Sequence, residues 1–423
     1  MAPRGTEDLR FRAATVDDLD RILELHVTAF PDSRGAEERR RSFLANPFGS
    51  LEDMVVAEQD ADIVGQAFLY PLEAWFGGRA VRMGAIASLA VAAEARGRGV
   101  ATTLVTHLHV ASDVRGDALT MLYAFRQRFY AKLGYGTSSS RRRLAIDPAS
   151  VPSSWRALAR ARVRRPRGED KDAITRAYGR AGAKTSGWLT RTDAFWDRHL
   201  ARERRHFLVA AQPDGGVAGY VAFELLQDEP HAAVTLSVDE LAADDDTTRL
   251  ALVGALASMK DQIAEIEMEV DAADPIDLAL LDSDGRRFGN GVIEHDLGTL
   301  VGGPMVRIED IPRAIEARGY PADGAFDVVV HAGDGDEPSA TNGVEQDEIA
   351  VSIRVEGGRA EVSAARGAAA SLRTTRAGLA SLLYGGLRPS DAVRMGLADA
   401  DRRTLARADA ILFMPPMLPL DAF

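Results

Sequence analysis

Six consecutive residues, Arg96-Gly97-Arg98-Gly99-Val100-Ala101, have the types and spacing to hold a phosphate-bearing ligand. Two glycines let the main chain approach a ligand closely, and the first turn of a helix starting there leaves N–H groups without intrahelical partners. Together with the positive end of the helix dipole and two guanidinium groups, such a turn suits a diphosphate. The spacing is not the six-position dinucleotide fingerprint, and it lacks the Lys-Ser/Thr ending of a P-loop. By itself the motif is therefore first of all a tight turn.

The flanking residues supply the elements that would position this turn. Residues 85–92 form an apolar run ending at Val91, while Ala101, Leu104, Val105 and Leu108 recur at helical spacing, so strand passes to helix near Glu94. Upstream, Leu9–Arg12 reads as a strand, and Asp17 or Asp18 caps a helix with Leu19, Ile22, Leu23 and Val27 on one face. Val55–Ala57 and Ile63–Leu69 read as paired strands, and Trp75–Val81 as a Gly-Gly hairpin. Leu119–Phe125 is a further apolar run, and residues 1–146 together make one complete unit.

A second unit, 147–295, repeats this order without the glycine loop. It holds a helix near Asp172–Gly182, a hairpin over Phe207–Phe223, a strand at 234–238 and a helix after Asp244-Asp245-Asp246. The arginine-rich stretch between Arg141 and Lys171 lacks aromatics for base stacking and reads as a solvated linker with an exposed helix. The third unit, 296–423, carries strand-like runs at 326–331, 349–355 and 359–363 and helical patterns at 375–383 and 389–397. The chain ends on Met-Pro-Pro-Met-Leu-Pro-Leu-Asp-Ala-Phe423, an apolar and proline-stiffened tail where most termini are polar and fray.

Composition narrows the function classes. A net charge of −12 disfavours nucleic acid and anionic membranes and draws cations, making amines the expected substrates. With no cysteine there is no disulfide, cysteine nucleophile or thiolate metal site. No apolar run is long enough to span a membrane and no signal peptide is legible, so a cytoplasmic protein is expected. The eight histidines do not cluster, and no metal is implied.

The motif order is similar to that of the GNAT N-acetyltransferases. Arg96 to Ala101 resembles their acetyl-CoA pyrophosphate loop, Gln/Arg-x-x-Gly-x-Gly/Ala, and Arg128-Phe-Tyr-Ala-Lys-Leu-Gly-Tyr-Gly136 falls where the family has its Phe-Tyr-x-Lys-x-Gly-Tyr/Phe element. The whole chain resembles the Eis family within that class, through Phe76–Val91, Val306–Tyr320 and Leu379–Gly386 as well. This resemblance implies an α/β (α+β) fold: two tandem GNAT folds with mixed central sheets, the second inactive, then a sterol-carrier-protein-like α+β domain. It implies acetyl-CoA as co-substrate, held by Leu89, Ala90, Val91, Arg96, Gly97, Arg98, Gly99, Val100 and Ala101. It also implies a homo-oligomer, a hexamer in that family.

By the same resemblance, Tyr130 gives its proton to the departing thiolate, with Tyr135 as the alternative acid. The C-terminal carboxylate of Phe423 is the general base. Spacing alone leaves Tyr130 a core aromatic. A free α-carboxylate titrates at roughly 3.5 and an alkylammonium at roughly 10, so burial or a relaying water must narrow the gap before the amine attacks through a tetrahedral intermediate. Candidates for the amine pocket are Glu24, His26, Phe30, Asp32, Glu37 and Asp421. Ala422 stands where family members often carry an acid, which weakens the match to aminoglycosides. The expected activity is acetyl transfer to amines of cationic small molecules, aminoglycoside- or polyamine-like. The alternatives are a lipid or hydrophobe carrier and a protein lysine acetyltransferase.

Overall fold

The first elements follow the apolar periodicity. In this computed structural model, which describes residues 8–31, 35–212, 215–227, 229–280, 286–288, 292–294, 298–331, 348–365 and 371–423, the chain opens with β1 (Arg10–Ala13), α1 (Leu19–Ala29) and α2 (Ala36–Leu44). Next come β2 (Met54–Gln59), β3 (Asp62–Phe76) and β4 (Arg79–Val91). Leu19, Ile22 and Leu23 bury one face of α1, but Val27 is 45% exposed and His26 takes the buried position instead. Gly77 and Gly78, at φ +58° and +81°, form the two-residue turn between β3 and β4. Where the sequence suggests two short strands around Pro71, β3 runs on unbroken. Pro71 lies past the last β2 pair, Met54 with Phe68, where one strand edge is free and a missing N–H is tolerated.

After β4 the chain crosses through α3 (Val100–Arg115) to β5 (Leu119–Leu122), which is parallel to β4, and continues through α4 (Gln127–Ala131) to β6 (Gly136–Thr137). The stretch 1–146 does not close this sheet. Between β5 and β6 lies a strand from far along the chain, Met305–Ile308, antiparallel to both, in the order β1-β2-β3-β4-β5-(305–308)-β6. All four residues of β5 are buried, so a bare β5 edge would expose apolar surface and unpaired main-chain groups; the strand Met305–Ile308, with Met305, Val306 and Ile308 buried, covers both.

Contacts divide the chain into two units, Met1–Ser138 with Pro304–Pro415 and Asp421–Phe423, and Ser139–Gly303 with Pro416–Leu420. The change of unit therefore falls at 138, and Arg141–Ile146, taken from sequence as the end of the first unit, is β7 of the second. Its Leu144 and Ile146 are fully buried in that unit's core, which fixes its allegiance. The second unit continues with α5 (Ser153–Arg162), β8 (Val163–Arg164), α6 (Lys171–Gly182), α7 (Asp193–Leu200), β9 (Arg205–Ala211), β10 (Val217–Leu226), β11 (Thr235–Ala243), α8 (Asp246–Ala257) and β12 (Glu265–Asp271). The pair β13 (Arg286–Phe288) and β14 (Val292–Glu294) precedes β15 (Gly298–Val301). Its sheet runs β15-β7-β12-β11-β10-β9-β8, with β11 and β12 parallel across α8, as β4 and β5 are across α3.

The chain then re-enters the first unit as β16 (Met305–Ile308) and α9 (Ile311–Ala317). A five-stranded sheet follows, built from β17 (Gly324–His331), β18 (Glu348–Glu356), β19 (Arg359–Ala364), β20 (Ser371–Thr375) and, after α10 (Arg376–Leu383) and α11 (Pro389–Arg394), β21 (Ala398–Asp399). The last helix is α12 (Arg402–Leu412). Arg318 is buried completely, and its guanidinium donates to the carbonyls of Gly319, Leu383, Leu412 and Phe413, so a charge excluded from water is held by four acceptors.

Candidate active site

The site begins with a defect in β4. Register slips between Gln66 and Phe68, and Ser88 on the opposing strand sits at φ +52°, a left-handed conformation rare for a side-chain-bearing residue. Beyond the bulge β4 keeps its ladder with β3 as far as Val91, but its pairing with β5 stops at Ala85. Leu89, Ala90 and Val91 therefore run along a fork with a ladder on one side only.

The glycine loop lies at the end of this fork. Gly97 (φ +75°) and Gly99 (φ +91°) both need left-handed backbone, and a Cβ on Gly97 would meet nothing within 4 Å. Gly99 is the N-cap of α3, and the helix ladder starts with Thr103 N–H donating to Gly99 C=O at 3.0 Å. The N–H groups of Val100, Ala101 and Thr102 precede it and have no intrahelical acceptor. Arg96 and Arg98 are exposed, and Arg96 Nε donates to Val91 C=O at 3.2 Å. Val100 is buried against Gly65 and anchors the turn. An open fork, a glycine turn and unpaired N–H donors beside two cations fit the pantetheine and diphosphate of acetyl-CoA.

A cavity of about 290 Å³ opens against the bulge, walled by Ile86–Leu89, by His26 in the last turn of α1 and Phe30 just after it, by Leu122 at the end of β5 and Tyr123 and Phe125 beyond it, and by Tyr130 and Phe423. Tyr130 is 3% exposed, and burial pushes its phenol up to about 12, so it is a neutral proton donor across the physiological range. The alternative acid, Tyr135, is outside this cavity. Its buried hydroxyl is 3.0 Å from both His109 Nε2 and Thr120 Oγ1. Phe423 packs at 5.4 Å from the ring of Tyr123 and edge-on to Phe48, and the Tyr123 hydroxyl donates to the Asp421 carbonyl at 3.0 Å.

Of the residues expected to meet the amine, the fold brings His26 and Phe30 to the cavity. Arg39, 2% exposed, donates to His26 Nδ1 at 2.7 Å and to the Phe30 carbonyl at 2.9 Å, fixing both. Because a guanidinium only donates, Nδ1 must accept, and His26 is the Nε2–H neutral tautomer. Glu24 points to solvent and pairs with Arg21 at 2.8 Å, and Glu37 is exposed on α2; one helical step separates Glu24 from the buried face. Asp421 is buried and does not line the cavity. Asp32 lies outside the described residues. Ser88, Tyr123, Phe125 and Arg39 were not legible in sequence. The apolar run 119–125 hid that β5 stops at Leu122, which turns Tyr123 and Phe125 into cavity wall.

Among the described residues of the second unit, a buried polar network stands at the position that corresponds to this opening. Glu240 lies three residues past the last parallel bridge of β11, as Ser88 does on β4. Its buried carboxylate accepts from Arg191 at 2.6 Å, from His199 Nε2 at 3.0 Å and from the Tyr220 hydroxyl. Arg191 itself is stacked over the rings of Tyr178, Phe195 and Trp196. At the start of α8, Asp245 accepts from Thr248 N–H at 2.7 Å, so a protein carboxylate caps this helix where the N-cap of α3, Gly99, offers no side chain. This unit also holds tail residues: Met417 bridges Ser186 and donates its N–H to Ser139 Oγ at 2.8 Å, and Leu418 N–H donates to Ser186 C=O at 3.1 Å. No His, Asp or Glu cluster among the described residues could hold a metal ion, and no helix among them is long and apolar enough to cross a membrane.

Residues 10–138 match an acetyltransferase (GNAT) domain family, residues 187–308 match another, and residues 311–419 match the sterol carrier protein domain family. The N-acetyltransferase Eis of Mycobacterium tuberculosis is 26% identical over 412 residues, covering 94% of each chain, and that of Mycobacterium bovis is equally similar. In solved structures the fold is similar to a GCN5-related N-acetyltransferase from Kribbella flavida (TM-score 0.77, 24% identity, 99% of both chains). It is also similar to one from Anabaena variabilis (0.77, 20%, 98% of this chain and 100% of that one) and to Eis1 from Mycobacterium abscessus (0.73, 20%, 98% and 100%).

Proposed function

Since the chain is an Eis-like acetyltransferase with two GNAT domains and a sterol carrier protein domain, we propose that it moves the acetyl group of acetyl-CoA onto a primary amine of a cationic small molecule, aminoglycoside- or polyamine-like. The observation that carries this reading is that Tyr130 and Phe423 line one cavity beside the forked edge of β4.

GNAT acetyltransferases use acetyl-CoA, which when bound supplies an activated acyl thioester. In this reading Leu89–Val91 align that thioester along the unpaired edge, and Arg96–Ala101 take its diphosphate. The C-terminal carboxylate accepts the proton of the attacking amine, directly or through water, in a pocket whose aromatic walls disfavour the ammonium form. A main-chain N–H near Val91 stabilises the oxygen as negative charge grows on it. As the C–S bond breaks, Tyr130 gives its proton to the sulfur, and the buried phenol is neutral and ready to do so. A homo-oligomer, hexameric as in the family resembled, belongs to the same proposal.

The test is release of coenzyme A from acetyl-CoA with a panel of aminoglycosides and polyamines, for the full chain and for one lacking Phe423. Turnover that the deletion abolishes while acetyl-CoA still binds supports both the reaction and the terminal base. Binding of acetyl-CoA with no acetylation of any panel amine refutes the acceptor class. Loss of acetyl-CoA binding in the full chain refutes the loop assignment and favours a hydrophobe carrier.

A further inference from the structure

The acid proposed above sits on an element too short to hold itself. Helix α4 has five residues, below the length at which helical hydrogen bonds are self-sustaining, so the direction of Tyr130 depends on what grips its ends. The C-terminal end closes in a Schellman turn. Gly134, at φ +81°, donates to Ala131 C=O at 3.0 Å, and Tyr135 N–H donates back to Tyr130 C=O at 3.2 Å. Leu133 N–H also donates to Tyr130 C=O, at 2.9 Å. The tyrosine is thus locked to its cap, and the cap is held from outside.

The outside grip comes from β16, on the far side of the second unit in sequence. Arg307 Nε donates to Leu133 C=O at 2.9 Å, and its guanidinium is paired with Glu309, whose side chain is 3% exposed. Glu309 also accepts from Thr120 Oγ1 at 2.8 Å, and Thr120 meets the Tyr135 hydroxyl. The two hydrogen-bonded residues of the cap, Leu133 by its carbonyl and Tyr135 by its phenol, are therefore tied to one buried carboxylate on one strand. Burial raises Glu309, and the Arg307 guanidinium and the hydrogen bond from Thr120 oppose this.

We propose that Arg307 is a positioning residue for the Tyr130 hydroxyl, acting through the Leu133 carbonyl, so that β16, a strand from beyond the second unit in sequence, completes the acid side of the acetyltransferase site. This rests on the assignment of Tyr130 as the acid.

The experiment is a cycle of Arg307→Gln and Tyr130→Phe in the full chain, with acetyl-CoA affinity measured by calorimetry and Arg307→Lys as the conservative variant. A general acid contributes on the order of 100-fold or more, and a loosened one loses part of that. Arg307→Gln is expected to lower kcat by roughly 10-fold with acetyl-CoA affinity within about 3-fold, and by less than about 2-fold once Tyr130 is Phe. Arg307→Lys, which keeps a donor, recovers most of the rate. If Arg307→Gln folds poorly because Glu309 is left unpaired, Arg307→Gln with Glu309→Gln removes that charge and is compared in the same way. An equal loss in both backgrounds, a parallel loss of acetyl-CoA affinity, or an unchanged kcat overturns the proposal. If Tyr130→Phe turns over too slowly to time, the division between kcat and acetyl-CoA affinity decides. Full activity of Tyr130→Phe alone overturns the acid assignment itself.

Discussion

The hydroxyl of Tyr123 donates to the main-chain carbonyl of Asp421 at 3.0 Å, tying the end of the chain to the segment that leads from β5 into the Tyr130 helix. This hydrogen bond and the ring packing of Phe423 on Tyr123 and Phe48 help to seat the end of the tail there. Tyr123→Phe removes a bond worth about 0.5–1.5 kcal/mol, so turnover should fall by roughly 2- to 10-fold. Deletion of Phe423 should reduce turnover by more than about 100-fold, the range of a lost general base. In both, acetyl-CoA affinity by calorimetry is expected to hold; a matching loss of affinity would mean the tail is only packing.

Burial disfavours the Tyr130 phenolate and pushes the phenol up to about 12, above its ordinary value. The neutral form it stabilises is fully present below roughly pH 10, where an unfolded tyrosine titrates, and is lost as pH climbs through the folded value. The kcat profile should therefore show no descending limb up to pH 10. A decline centred below pH 9 in stopped-flow rates would assign the proton to another group.

Gly99 caps α3 at φ +91°, in a region where a Cβ is strained. Gly99→Val should stress the loop by about 1–2 kcal/mol and turn the N–H donors away from the diphosphate. We expect at least a 10-fold rise in the acetyl-CoA dissociation constant by calorimetry, of order 1.4 kcal/mol. Unchanged affinity would leave Arg96–Ala101 as a turn with no ligand.

In the second unit, burial alone would raise Glu240, but Arg191 and His199 outweigh it and hold the carboxyl well below the usual range. Its contribution to stability is present above about pH 4.5 and is lost as pH falls below that. Glu240→Ala removes the buried carboxylate paired with Arg191 and should destabilise by about 3–5 kcal/mol. Glu240→Gln should lower the melting temperature at pH 7 and flatten its fall between pH 5 and 3. Thermal melts read both, and acetyl-CoA affinity should not change, because this network stands where the first unit has its cavity.

Residues close in sequence were legible because local chemistry dictates their arrangement. Gly97 and Gly99 imply a tight turn, Gly77-Gly78 a two-residue hairpin turn, and the helical spacing of Leu104, Val105 and Leu108 a buried helix face; each is found in the structure. Resemblance singled out Tyr130 and Phe423, and both line the cavity. Charge was a poorer guide. Glu24 was expected at the amine pocket because carboxylates attract amines, yet its side of α1 faces water and Arg21, while Arg39, the residue that fixes His26 and Phe30, gave no signal.

Sequence by itself determined the order of strands and helices, the glycine loop and the repeat of a β-α-β crossover, since each depends on periods of a few residues and on backbone freedom. Tertiary structure alone decided that Met305–Ile308 completes the first sheet, that Arg141–Ile146 belongs to the second, and that Tyr130, Tyr123 and Phe423 share one cavity. Those outcomes depend on which strand edge remains unpaired and which apolar face uncovered once the local elements have formed. Partners for such edges and faces are chosen by burial and hydrogen bonding across hundreds of residues, and no local pattern encodes that distance.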